Sequence, residues 1–197
     1  MRFTFGGDRG PGLAKVPRVQ SEPMLIVVSG PPGTGKTMLA HRVASAIGCP
    51  AICRDEIKEG MVHATPGFVP GPGDQLSMRT LSTFFDVIGL LIGRGTTVVA
   101  EAAFQDRLWN PGLAPLLGRA DVRILHCTVP AEVALARINA RTAHSNRAAH
   151  EDAQISAEAR LRTHNAFQPV DLPVPAMTVD TTTDPSLDEI LTFLSRE

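Results

Sequence analysis

Residues 30–37 read Gly30-Pro31-Pro32-Gly33-Thr34-Gly35-Lys36-Thr37. The apolar run Met24-Leu25-Ile26-Val27-Val28 precedes them, and a helical pattern from Met38 to Ile47 follows. A strand that enters a glycine-rich turn and leaves it as a helix constrains this chain more than any other feature. The glycines free backbone N–H groups to wrap a polyphosphate, and the helix dipole favours negative charge at the same point. The spacing places Lys36 on the β- and γ-phosphates and the Thr37 hydroxyl on Mg²⁺. Gly30, Pro31, Pro32, Gly33, Thr34, Gly35, Lys36 and Thr37 together form the candidate nucleotide-binding set.

Strand-like and helix-like stretches alternate along the rest of the sequence. Apolar runs predict strands at Met24–Ser29, Pro50–Cys53, Thr96–Ala100, Val122–Cys127 and Met177–Val179. Helical spacing predicts helices over 38–47, 55–63, 74–92, from Asn110-Pro111, from Pro130 to about 143, over 155–166, and a last one capped by Asp184-Pro185. Such alternation specifies an α/β fold with a parallel sheet between helical layers, and ligands outside the carboxyl ends of the strands. Residues 1–22 lack periodicity and read as a flexible leader, with residues 23–197 as one domain. The segment 65–73 is rich in Pro and Gly and reads as a loop long enough to lie over a site.

The formal net charge is −1, which does not suit a wholesale nucleic-acid binder. Cys49, Cys53 and Cys127 read as inert thiols in a reducing compartment. His63, His126, His144, His150 and His164 form no metal pattern. No apolar run approaches the roughly 18 residues of a membrane span, and no signal-peptide core is visible at the start. The expectation is a cytoplasmic protein with no membrane partner.

Three features bear on the chemistry. Asp55 lies just past the second strand, where it would accept a proton from an acceptor hydroxyl; it would also cap the helix that follows. Arg54 and Lys58 flank it and would hold an anionic acceptor. Glu101 ends the third strand, as read from sequence, and would serve either Mg²⁺ or the acceptor. Arg137 and Arg141 lie four apart on one helical face and precede Arg147, as on a flap that closes over phosphates. Arg79, near the start of the helix over 74–92, would face the acceptor pocket or solvent. No aromatic residues interleave with these basic positions in the sequence.

The order of P-loop, strand-end Asp55, apolar strand with Glu101, Arg137-x-x-x-Arg141 and closing Val179-Asp180-Thr181-Thr182 resembles the small P-loop kinase family. That group includes chloramphenicol phosphotransferase-like, zeta-toxin-like and polynucleotide kinase-like AAA-type ATPases. The resemblance covers about residues 24–195. It implies a three-layer sandwich with a five-stranded parallel sheet in 2-3-1-4-5 order and an arginine-bearing lid at about 139–155. It also implies Asp55 as general base, Arg137 and Arg141 as lid arginines, and Thr182 near the adenine of ATP. Two departures stand out. Lys58 occupies the place where polynucleotide kinases of the group carry Arg, and Glu101 replaces the commoner Asp.

These features favour ATP- and Mg²⁺-dependent transfer of the γ-phosphoryl group to a hydroxyl of a small molecule, such as a nucleoside, a sugar or an antibiotic-like compound. A polynucleotide 5′-hydroxyl kinase is the alternative, and it needs a positive channel. A remodelling ATPase or nucleotide switch is a third. The single acidic residue after the third strand, the short chain and the absence of a guanine-binding Asn/Thr-Lys-x-Asp string count against it.

Overall fold

The computed structural model describes residues 22–69, 71, 74–142 and 156–196. The expected leader, apart from Glu22, and the lid beyond Thr142, including Arg147, lie outside the described residues. Among the described residues there are five strands: β1 Met24–Ser29, β2 Ala51–Cys53, β3 Val98–Ala102, β4 Asp121–Thr128 and β5 Ala176–Asp180. The helices are α1 Lys36–Ile47, α2 Arg54–His63, α3 Gln75–Gly93, α4 Asp106–Leu113, α5 Ala131–Thr142, α6 Ala157–Asn165 and α7 Leu187–Leu194. All strand pairs are parallel, in the order β2-β3-β1-β4-β5. This is the expected α/β sandwich.

The period of two along each strand divides the core. Leu25 and Val27 of β1, Val98, Ala100 and Ala102 of β3 and Ile124 of β4 pack with Phe84, Ile88 and Ile92 of α3 and Trp109 and Leu113 of α4. Ile26 and Val28, Val99 and Leu125 turn the other way, onto Leu39, Ala40 and Val43 of α1 and Ile190 and Leu194 of α7. The strands are apolar on both faces because both faces are covered. Fully burying one such Leu or Ile side chain stabilises the fold by about 1.5–3 kcal/mol.

Several boundaries differ from the sequence expectation. β3 ends at Ala102, because its register with β1 runs from Leu25↔Val98 to Ser29↔Ala102. Glu101 therefore lies inside the strand and not at its tip. α4 begins at Asp106, not at Asn110-Pro111, and Pro111 sits within it. Trp109 and Leu113, both fully buried, hold that helix to the core and offset the backbone bond that Pro111 cannot donate. The last helix is capped by Ser186, whose hydroxyl accepts the Glu189 N–H at 3.3 Å. Asp184 instead accepts a hydrogen bond from Arg42. α3 also departs from expectation: its 19 residues are long and apolar enough to reach across a bilayer by length and composition. Its buried stripe, Leu76, Thr80, Phe84, Ile88 and Ile92, packs within this fold.

Candidate active site

The P-loop joins β1 to α1 at the carboxyl edge of the sheet. Gly35 is the N-cap of α1 in the left-handed region (φ 75°), and no side chain caps the helix. The first N–H groups of α1 therefore lack a side-chain acceptor, as a site for an anion requires. Gly33 has φ 88°, and a Cβ there would meet the Ala134 carbonyl oxygen at 2.6 Å. The loop thus lies directly against α5. The Thr34 hydroxyl donates to the Pro31 carbonyl at 2.9 Å, and the Thr181 hydroxyl donates to the Thr34 carbonyl.

Lys36 is buried, with its ammonium 3.4 Å from the Pro31 carbonyl and 3.8 Å from Glu101 Oε1. The Thr37 hydroxyl donates to Glu101 Oε2 at 3.1 Å. Glu101 reaches them because it continues the Val99 face of β3, the face that α1 covers. It is only 2% exposed. Burial pushes its carboxyl above the usual range, against the charge of Lys36 and bonds from Thr37 and Cys53; the nearby charge of Asp55 pushes it further. A buried carboxylate held up in this way, beside a lysine and a hydroxyl, suits a bound cation and polyphosphate. The donor set therefore fits Mg²⁺ and a triphosphate, with Thr37 and Glu101 as the candidate metal ligands.

Asp55 stands in the first turn of α2, next to the end of β2. β2 pairs with β3 so that Cys53 is level with Glu101, which brings the start of α2 to the same edge. Arg54 Nη1 donates to Asp55 Oδ1 at 2.9 Å, while its guanidinium lies 6.0 Å from the Phe104 ring centroid. Arg54 Nε is buried without an acceptor among the described residues. Phe104 itself sits in an aromatic cluster with Phe84, Phe85 and Trp109, and the Trp109 indole donates to Ser29 Oγ at 3.1 Å.

Lys58 is placed differently from expectation. It is 6% exposed, its ammonium donates to Asp74 Oδ2 at 3.0 Å, and it lies 5.9 Å from the Phe68 ring centroid. Its charge is paired with a carboxylate of the chain. Two aromatic rings lie near these basic residues in space: Phe104 beside Arg54 and Phe68 beside Lys58. Both rings come from other elements. Arg79 is exposed in the second turn of α3.

On the opposite flank, Arg137 Nη2 donates to the carbonyls of Thr181 and Thr182 at 2.8 and 3.1 Å. Gly35, Met38, Arg42, Arg137 and residues 181–185 line a pocket of about 210 Å³ beside the P-loop. Arg141 is exposed in the last turn of α5. The sequence reading missed Phe104 and Cys53 as parts of the site, and it took Thr181 only as part of the closing segment near the adenine. Phe104 follows Glu101 by three residues and was detectable as the strand exit. The bond from Thr181 to the P-loop carried no signal, since its partner Thr34 is far away in the chain.

Residues 25–181 match a family described as an AAA domain. No curated protein sequence matches the chain. Three of the solved structures that share the fold are the following. A "putative kinase" from Chloroflexus aurantiacus superposes with a TM-score of 0.77 at 22% identity, over 88% of this chain and 97% of that one. A sugar kinase from Janibacter sp. HTCC2649 gives 0.61 at 20%, over 88% and 95%. A gluconokinase from Sinorhizobium meliloti 1021 gives 0.54 at 19%, over 87% and 89%.

Proposed function

The chain belongs to the AAA domain family, and from that premise we propose that it is an ATP- and Mg²⁺-dependent kinase acting on a hydroxyl of a small-molecule acceptor. One observation carries this: Lys36, Thr37 and the buried Glu101 meet at the mouth of β1 and β3, with Asp55 near enough for its charge to act on Glu101. Fold relatives named as a sugar kinase and a gluconokinase agree with a small acceptor. The formal net charge of −1 and the engagement of Lys58 with Asp74 leave little positive charge for a polynucleotide track.

Magnesium, held by Thr37 and Glu101, would neutralise charge on the phosphoryl oxygens. The residues of the chain supply the rest. Lys36 and the α1 N–H groups bind the β- and γ-phosphates. Asp55, held by Arg54, takes the proton of the acceptor hydroxyl. The acceptor oxygen bonds to the γ-phosphorus as the bond to the β-phosphate oxygen breaks, and ADP leaves. Arg137 and Arg141 stabilise the spread charge, and the pocket around Thr182 takes the adenine. Positioning and charge account for the rate, since this transfer needs little covalent work from the protein. The cytoplasm is the setting this chemistry suits.

A transfer screen with γ-labelled ATP tests the proposal, using nucleosides, sugars, aminoglycoside and phenicol antibiotics and 5′-hydroxyl oligonucleotides as acceptors. The expected result is label on a small molecule. Asp55→Ala should lower that transfer by about 10²- to 10⁴-fold while MgATP still binds. Undiminished transfer by Asp55→Ala removes Asp55 as base. Label confined to the oligonucleotides overturns the small-acceptor reading.

A further inference from the structure

Behind the phosphate cradle, one helical turn along α1 from Thr37, three side chains with metal-binding atoms converge. They are His41 of α1, Cys53 at the end of β2 and Glu56 in the first turn of α2. His41 Nε2 lies 2.7 Å from Glu56 Oε1 and 3.7 Å from Cys53 Sγ, and the three donor atoms all lie within 4.8 Å of one another. A tetrahedral Zn²⁺ with ordinary Zn–N, Zn–S and Zn–O bonds holds its donors about 3.3–3.6 Å apart. Reaching that geometry needs His41 and Glu56 to part by about 0.7 Å, within the freedom of two exposed side chains.

We propose that His41, Cys53 and Glu56 form a binding site for a zinc-class divalent transition metal ion, separate from the magnesium site at Thr37 and Glu101. This goes beyond the kinase proposal and stands or falls independently of it.

The donor chemistry selects the ion. Mg²⁺ takes oxygen ligands, whereas an imidazole, a thiolate and a carboxylate together suit Zn²⁺ and its neighbours. The burial pattern supplies a floor and an entrance. Cys53 is 2% exposed at the bottom, while the side chains of His41 and Glu56 are 50% and 52% exposed at the rim. Three protein donors leave a fourth position for water. The carboxylate of Glu56 in the cluster, with Glu101 level with Cys53 on the neighbouring strand, attracts a dication. When the metal binds, the S–H bond gives way to a metal–sulfur bond and the proton passes to bulk water. A simple His41–Glu56 ion pair would need no sulfur beneath it. A metal here would also join α1 to α2, and so fix Thr37 relative to Asp55.

The sequence hid this cluster. Its members come from three elements at spacings of 12 and 3 residues, which match no local zinc pattern. The expectation that Cys53 is a plain buried thiol is therefore revised by this proposal.

The test is a titration of the reduced full chain with Co²⁺ in millimolar Mg²⁺, followed by absorption. The expected result is tetrahedral visible bands and a near-ultraviolet thiolate-to-cobalt band, saturating at one equivalent and bleached by Zn²⁺. Cys53→Ser should abolish the near-ultraviolet band, while Cys49→Ser and Cys127→Ser keep it. His41→Gln, at an exposed position, should weaken Co²⁺ binding by about tenfold or more. Absence of the thiolate band in the unmodified chain overturns the proposal. So does a band that survives Cys53→Ser, or an affinity unchanged by His41→Gln.

Discussion

Asp74 holds two elements with one carboxylate. It accepts the Ser77 N–H at 2.7 Å as N-cap of α3, and it pairs with Lys58 of α2 at 3.0 Å. The paired side chains are 8% and 10% exposed. Burial acts against the charged form of Asp74. Bonds from the Ser77 N–H, Lys58 and the Ser77 hydroxyl, with the Lys58 charge, outweigh it and hold the carboxyl below its usual range. A lowered value means that the stabilisation is present above the ordinary carboxylate pKa and is lost as pH falls through the folded value. Asp74→Ala should therefore cost about 3 kcal/mol at neutral pH, since it removes a cap and leaves Lys58 buried without its partner. The gap to the unmodified protein should begin to narrow near the ordinary carboxylate pKa and go on closing as pH falls through the lowered folded value. Urea unfolding followed from pH 7 down to about pH 2 measures both, and equal stability at pH 7 contradicts the pairing. The cap on α3 was legible because its signal is local. The pairing of Lys58 was not, since Asp74 lies 16 residues on, beyond a Pro/Gly-rich stretch. Glu101 was seen as a site residue, but its burial depends on which strand face α1 covers, and no single segment encodes that.

At the scale of elements, the P-loop, α5 and the exit of β5 are tied together. Ala134 of α5 lies against Gly33, Arg137 bonds the carbonyls of Thr181 and Thr182, and Thr181 bonds Thr34. Gly33→Ala should strain a left-handed backbone and push α5 off the loop. The expected cost is about 1–3 kcal/mol of stability. Displacing the loop from its cradle shape should also weaken MgATP binding by about tenfold, or about 1.4 kcal/mol. Thermal unfolding with and without MgATP checks this; an unchanged midpoint in both conditions contradicts the contact. The alternation of strands and helices was legible from apolar period alone. The ends were less so. β3 ends two residues later than its apolar run because pairing with β1 sets its register, and the last helix starts at Leu187 because Asp184 turns to Arg42 and leaves the cap to Ser186.

Across the whole molecule, the sheet order brings β1 between β3 and β4, so the P-loop stands beside Glu101 on one flank and beside α5 on the other. β2 next to β3 brings Asp55 to the same edge. The order followed from the resemblance and not from any local pattern, because nothing in a strand's own sequence names its neighbours. An arrangement of this kind should gain stability from its nucleotide, by about 2.7 kcal/mol at a concentration 100 times Kd. The most direct test of the central claim, that the glycine-lysine cradle grips magnesium triphosphate, is calorimetric titration of MgATP into the unmodified chain and into Lys36→Ala. The account predicts a single saturable site in the first and its loss in the second. No saturation at millimolar MgATP, or unchanged binding by Lys36→Ala, would contradict it.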